Sequence, residues 1–174
     1  MSTITATSGN ATTSITVKRP KYDDLLVPYQ VVASKSACDV FAMVHPDLEK
    51  ECRNGNWEYQ NACATRMSYA LNKGGYKIKL PRKFQDYRTG EPYVTAILDM
   101  IKFLKKNFGD SDMEFNGNAY AFERSITGKK GIILFEIKWD DANGHVTLWN
   151  GTSCVDGSYH FSDNPKNILF WELK

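Results

Sequence analysis

The stretch Asn61-Ala62-Cys63-Ala64-Thr65-Arg66-Met67-Ser68-Tyr69-Ala70-Leu71-Asn72-Lys73-Gly74-Gly75 holds a cysteine at what reads as a helix start. Four roles compete for Cys63: a small buried residue, half of a disulfide, a metal ligand or a nucleophile. A nucleophile needs its thiolate, and first-turn N–H groups at a helix N-terminus stabilise negative charge. The pattern predicts a helix over 61–73. Asn61 is a good N-cap, Met67, Ala70 and Leu71 recur at helical spacing, and Gly74 and Gly75 suit the exit. Cys63 then stands at about the second helical position, where backbone N–H groups can also receive the oxyanion of an attacked carbonyl.

A cysteine nucleophile needs a base, and the chain has three histidines. His45 precedes Pro46 and reads as surface; His160 follows Tyr159 in a turn-rich stretch and reads as surface or packing. His145 follows Gly144 and opens a strongly β sequence, so it is expected at the rim of a sheet, sharing one face with Thr147 and Trp149. Asp156 follows the connection Asn150-Gly151-Thr152-Ser153-Cys154-Val155 and can return beside His145 to accept its second N–H. Asp140 and Asp141 are rivals for that place. Zinc held by Cys63, His145, Cys154 and His160 is a competing reading, although no pair has the tight spacing of known sites. The acidic run at 110–117 starts like a calcium loop, but Phe115 stands where the turn glycine belongs, and it reads as a polar loop. Spacing alone leaves the catalytic, packing and metal roles open.

The composition narrows the partners. A chain of 174 residues with 42% hydrophobic and 24% charged residues fits one soluble globular domain that can bury a core without staples. Net charge is +2 with the signs interspersed, and the basic cluster Lys18-Arg19-Pro20-Lys21 is short, so no nucleic-acid partner is expected. Lys129 and Lys130 read as a solvated turn. No apolar run reaches the roughly 18 residues of a membrane span, so no membrane insertion is expected. The Ser/Thr-rich N-terminus lacks the basic start and apolar core of a signal peptide, and 1–24 is expected to be a flexible arm preceding a single catalytic domain at 25–174. The glycosylation triplets at Asn10 and Asn150 are discounted on the same ground. Cys38, Cys52, Cys63 and Cys154 form no dense framework. Separate free thiols are the default expectation, and one disulfide between Cys38 and Cys52 is the alternative.

Several elements must position these residues. Residues 23–57 read as an extended piece mixed with short helix, punctuated by Pro28 and Pro46. A loop is expected over 78–92. The clearest helix runs over 92–109, with Pro92 in its first turn, Val94, Ile97, Leu98, Ile101, Leu104 and Phe108 on one apolar face, lysines at its C-terminal end and Gly109 closing it. Strands are expected from 131, from 145 and from 167 onward. Helices first and strands second predict an α+β domain with the Cys63 helix packed on an antiparallel sheet.

Two blocks then carry a resemblance. Cys63-Ala64, Arg66, Ser68 and Ala70-Leu71-Asn72 resemble the catalytic-cysteine motif of the type VI secretion amidase effectors, fourth family. Gly144-His145-Val146-Thr147-Leu148-Trp149-Asn150-Gly151 is similar to that family's histidine strand, and Asp156 matches its third catalytic position. The resemblance covers roughly 25–174. It implies a papain-like, NlpC-type cysteine peptidase fold and an enzyme that cuts peptidoglycan stem peptides between D-glutamate and meso-diaminopimelate. It also implies delivery from the donor cytoplasm by the type VI secretion apparatus, action in the periplasm of rival Gram-negative cells, and a cognate immunity protein that occludes the active site. Under this reading Cys63 is the nucleophile, His145 the base and Asp156 its orienting acid. The Cys63 N–H and a side chain just upstream, Asn61 or Tyr59, hold the oxyanion, and no metal or organic cofactor is required. Arg66 either binds a substrate carboxylate or, preferably, forms an ion pair fixing the helix to the sheet. Trp57 and Trp149 line a stem-peptide groove or pack in the core. Some family members have a cysteine pair near the third catalytic residue; here Cys154 stands alone, with Ser158 where a partner would be. The rival functions are a housekeeping cell-wall peptidase, a catalytically dead papain-like binding module and a zinc hydrolase.

Overall fold

A computed structural model describes residues 2–8, 11–78, 84–115, 117–139 and 142–174, with side chains from Lys18 onward. Within the segment expected to be an arm, β1 (Ser2–Ser8) pairs with β2 (Ala11–Val17) as an antiparallel hairpin. The helix α1 (Tyr22–Ala33) begins before that segment's expected end. The next stretch differs from expectation: the extended piece is helical, and α2 (Ala37–Ala42) and α3 (Pro46–Arg53) follow. Pro28 lies inside α1. It supplies no N–H to the Asp24 carbonyl one turn back, a cost of about 3 kcal/mol in a helix interior. Leu25, Tyr29 and Val32 lie on the same helix, all fully buried, and burial of side chains this size contributes about 1.5–3 kcal/mol each, which outweighs the loss.

A short 3-10 turn (Trp57–Tyr59) leads into α4 (Cys63–Lys73), which packs along α1. The helices converge at Gly74, where a Cβ would stand 2.8 Å from Leu25 Cδ2 and 2.9 Å from the Asp24 carbonyl oxygen. Only glycine permits that approach. The expected loop over 78–92 lies partly outside the described residues. Its described part contains β3 (Phe84–Gln85), paired with β4 (Pro92–Tyr93).

The predicted helix over 92–109 is shorter than expected: α5 spans Ile97–Phe108. Pro92 is in β4, not in a helical first turn, and Val94 is held extended by Ser68 of α4. The Ser68 hydroxyl accepts the Val94 N–H at 3.0 Å and lies 3.1 Å from the Val94 carbonyl. The apolar face is also rotated, since Leu98 is 52% exposed while Met100 and Phe103 are buried.

β5 (Met113–Glu114) and α6 (Ala119–Ile126) precede the three long strands, β6 (Gly131–Glu136), β7 (His145–Trp149) and β8 (Asn167–Glu172). The sheet is antiparallel throughout, in the order β5-β8-β6-β7, with His145 opposite Phe135. These strands are buried along nearly their whole length because the sheet is covered on both faces, and successive side chains feed opposite layers. Ile132, Leu134, Val146, Leu148, Leu169 and Trp171 join the layer of α1, α4 and α5. Ile133, Phe135, Ile168 and Phe170 join the layer of α6.

A satellite core of Val32, Val40, Phe41, Leu48, Ala62 and Tyr93 gathers α2 and α3 beside α4. Here the default of four free thiols is overturned. Cys38 and Cys52 form a disulfide with a Cα–Cα separation of 5.3 Å, and Cys63 and Cys154 remain free. The helical reading of residues 37–53 explains the pairing, because the turn between α2 and α3 folds the two cysteines together.

Closing a loop of this length constrains the unfolded chain by about 3 kcal/mol. Reduction, or the Cys38→Ser/Cys52→Ser double variant, is expected to lower the unfolding free energy by about that amount. Denaturant melts with and without reductant check it; superimposable melts would show that the two sulfurs are not bonded.

Candidate active site

The start of α4, the start of β7 and the turn after β7 meet at one point. Ala62 occupies the helix N-cap position without a side-chain cap, so Cys63 is the first helical residue rather than about the second. Asn61 still satisfies the helix start: its Oδ1 accepts the Cys63 N–H at 3.0 Å. That bond occupies the N–H expected for an oxyanion, while Asn61 also lines the adjoining cleft. The Cys63 side chain is buried, with Sγ 3.9 Å from the Gly144 carbonyl oxygen.

Gly144 fixes where β7 begins. Its φ is +143°, and a Cβ there would stand 2.0 Å from the Phe135 carbonyl oxygen across the ladder. A side chain would push the strand start away from β6, and His145 with it. His145 is 8% exposed, and its Nε2 lies 2.8 Å from Asp156 Oδ2. Asp156 does not use the opposite ring nitrogen, Nδ1, which is the one available to the Cys63 thiol.

The hairpin expected between His145 and Asp156 takes a particular form. Trp149 and Cys154 form an isolated bridge, the Val155 N–H donates to the Leu148 carbonyl, and Asn150 Oδ1 accepts the N–H groups of Thr152 and Ser153. Asp156 is thereby returned beside His145 without a second strand. Its other oxygen, Oδ1, accepts the Ser158 N–H at 3.1 Å and the Ser158 hydroxyl at 2.7 Å. Ser158, noted in the sequence only as a missing cysteine, therefore holds the acid.

Burial alone would raise the Asp156 carboxyl, but the hydrogen bond and charge of His145, with Ser158, hold it well below the usual carboxylate range. Burial alone would likewise favour neutral His145. The Asp156 and Cys63 partners overcome this and push the imidazole up to about 9. Cys154 is pushed up to about 12 by burial and by Asp156, which makes it an unreactive thiol.

The remaining site candidates separate. Trp57 (60% exposed), Tyr59, Asn61, Cys63, Ile97 and Gly144 line a cleft of about 300 Å³ above the thiol. Trp149 does not join them. It is 1% exposed, packs against Phe161 under α6, and donates from Nε1 to the Ile126 carbonyl. Arg66 makes no ion pair to the sheet among the described residues: its guanidinium donates to the Val32 and Lys35 carbonyls at the end of α1. Asp140 and Asp141 lie outside the described residues. The zinc set is not gathered, since no three His, Cys, Asp or Glu side chains among the described residues are placed to hold a metal ion. Of the two roles read for His160, surface or packing, it takes the packing one: its ring lies 4.7 Å from that of His145 and its Nδ1 bonds Asp163. Sequence reading also missed Tyr29, whose hydroxyl reaches Asp156; no local pattern marks it, because it lies 127 residues away. A larger cavity of about 940 Å³ near Arg19 and Tyr76 lies apart from all these groups.

The family model "Type VI secretion system (T6SS), amidase effector protein 4" matches residues 59–171. Among solved structures, the chain is similar to one from the Tae4–Tai4 effector–immunity complex of Salmonella Typhimurium. Identity is 31% and the TM-score 0.77, over 90% of this chain and 100% of that one. It is similar to the effector Tae4 from Enterobacter cloacae at 29% identity and a TM-score of 0.77, covering 92% and 100%. The complex of Salmonella typhimurium Tae4 with the Enterobacter cloacae immunity Tai4 matches at 30% identity and a TM-score of 0.76, covering 90% and 100%. No curated protein matches the chain. The α+β class expected from the sequence, with the cysteine helix on an antiparallel sheet, is the one these neighbours share.

The His145–Asp156 pair makes stability depend on pH. A histidine raised from 6.5 to about 9 binds its proton more tightly folded than unfolded. Its contribution is complete below about 6.5 and lost as pH rises through about 9. The depressed Asp156 contributes above its ordinary range and its share is lost as pH falls. The unfolding free energy is expected to fall by about 1–3 kcal/mol between pH 6.5 and 9.5, and His145→Gln should flatten that slope. Denaturant titrations across this range check it, and a wild-type slope unchanged by His145→Gln would overturn the assignment.

Proposed function

The chain belongs to the type VI secretion amidase effector 4 family, and from that premise we propose that it is a peptidoglycan endopeptidase toxin working by a Cys-His-Asp mechanism. Its substrate is the stem peptide, cut between the γ-carboxyl of D-glutamate and the amine of meso-diaminopimelate. The observation that carries this reading is the convergence of a helix-start cysteine, a buried imidazole and a carboxylate 2.8 Å behind it. That order of groups suits acyl transfer.

With its proton already resting on His145 Nδ1, where an imidazole that prefers the protonated form keeps it, the Cys63 thiolate attacks the glutamyl carbonyl. The oxyanion faces the Asn61 amide in the cleft. As the C–N bond breaks, His145 gives its proton to the leaving amine, and a thioester remains on Cys63. Water, deprotonated by His145, then attacks the thioester and releases the glutamyl carboxylate and the thiol. Asp156 holds the imidazole tautomer throughout and stabilises the imidazolium. No step calls on a cofactor. Tyr59 and the exposed Trp57 form the cleft wall available to the stem peptide.

The catalytic unit is proposed as residues 25–174. Delivery by the type VI apparatus places the enzyme in the periplasm of a target cell. The Cys38–Cys52 disulfide supports an oxidising site of action, since such bonds persist there and are reduced in the cytosol. No helix among the described residues is long and apolar enough to cross a membrane. The exposed rim of the cleft, including Trp57 and Leu98, is where a cognate immunity protein would cover Cys63.

Purified muropeptides treated with the protein and read by mass spectrometry test the reading. Wild type should release fragments beginning at diaminopimelate, and Cys63→Ala should lose at least about 10⁴-fold in rate while remaining folded. Cleavage at another bond, or near-wild-type release by Cys63→Ala, would reject it. In cells, a form exported by an added signal peptide should lyse the culture, whereas the same chain kept in the cytoplasm should not. Killing by the cytoplasmic form alone would point to an intracellular target.

A further inference from the structure

Behind Asp156 lies a buried hydroxyl chain that the mechanism above does not use. Tyr29, on α1, is fully buried. Its hydroxyl lies 3.3 Å from Asp156 Oδ2, the same oxygen that holds His145, and 3.0 Å from Thr147 Oγ1 on β7. A phenol has one proton and a carboxylate only accepts. Tyr29 can give its proton to one partner only, and because the alternative acceptor for Thr147, the Leu148 carbonyl, lies 3.5 Å away, the favoured arrangement has Thr147 donating to the Tyr29 oxygen and Tyr29 donating to Asp156.

We infer that Tyr29, backed by Thr147, is a positioning residue that draws charge out of Asp156 Oδ2 and so sets how tightly the triad holds the proton on His145. The inference rests on reading Cys63, His145 and Asp156 as that triad. Two hydrogen-bond donors share one carboxylate oxygen, and charge given to one is withheld from the other. With Tyr29 in place the imidazolium is bound less tightly and can release its proton to the leaving amine. Without it, Asp156 grips the imidazolium harder and proton donation slows.

The surroundings leave few other electrostatic controls on this proton. From α4, Cys63 and the Arg66 guanidinium face the Tyr29 hydroxyl. From the segment after β7, Cys154 and Ser158 face Asp156, and His160, tied to Asp163, faces the His145 ring. Arg66 has a second effect. By binding the Val32 and Lys35 carbonyls it clamps the last turn of α1 to the cysteine helix, one turn beyond Tyr29. The motif arginine thus supports the acid end of the site through α1.

The test needs no substrate. His145 is one of three histidines, so its imidazole resonance can be followed by NMR against pH. A Cys63→Ala background keeps the thiol from titrating with it. Adding Tyr29→Phe, which keeps the ring and removes the hydroxyl, is expected to move the His145 midpoint upward by about half a pH unit or more. Thr147→Val is expected to move it the same way by less. If Tyr29→Phe fails to fold, as judged by amide dispersion, the Thr147→Val result decides. In the active background Tyr29→Phe should lower kcat about tenfold with KM within about twofold. An unchanged or lowered midpoint overturns the inference even where wild type cleaves muropeptides. A raised midpoint in a protein whose wild type cleaves none supports the inference and rejects only the substrate reading.

Discussion

A carboxylate buried behind an imidazole survives in a protein interior only when its lone pairs are met, because an unpaired buried charge costs several kcal/mol. The Asp156 side chain is 7% exposed. It is met by donors from three parts of the chain: His145 at the start of β7, Ser158 two residues on, and Tyr29 from α1. That requirement ties the first helix, the edge strand and the turn after it into one unit. The Tyr29 bond to the acid requires α1 to be docked, and α1 packs chiefly along α4, the helix that carries Cys63.

The rest of the scaffold serves that junction. Among the described residues the sheet gives β7 a strand partner on one side only, so its first residue can face the helix rather than another strand. Gly144 lets that residue begin hard against Phe135. The polar residues of the cysteine helix then secure its neighbours: Ser68 fixes Val94, Arg66 closes α1, and the Asn72 amide binds the Pro92 carbonyl. A motif that reads as catalytic is, beyond its cysteine, mostly an assembly code for the segments around the helix. Each of these side chains satisfies backbone groups that packing would otherwise leave buried and unpaired.

The layer of α2 and α3 stands apart from the sheet and rests on a small core of its own with a disulfide across it. It leads directly into the turn that carries Trp57 and Tyr59, one wall of the cleft. A cross-link here stiffens the approach to the thiol without touching Cys63, His145 or Asp156. Since small cores supply little stability by themselves, a covalent link at this place has a clear physical use.

The sequence by itself determined the pieces whose signals are local. The Cys63 helix, the three long strands and the return of Asp156 to His145 all follow from periodicity, turn residues and short-range hairpin geometry. Spacing singled out Cys63, His145 and Asp156 as candidates but left their roles open, and it was the resemblance of two motif blocks that grouped them as one set. Tertiary structure alone decided what depends on distant partners. Pro28 hid α1, because the gain from burying Leu25, Tyr29 and Val32 cannot be seen in a local pattern. Residues 92–96 read as helix until Ser68, 26 positions earlier, claimed the Val94 backbone. Trp149 could face a groove or a core, and the two-sided covering of the sheet chose the core. The thiols of Cys38 and Cys52 paired because α2 and α3 fold back on each other. Tyr29 joined Asp156 across 127 residues, a contact made by helix packing and by no spacing along the chain.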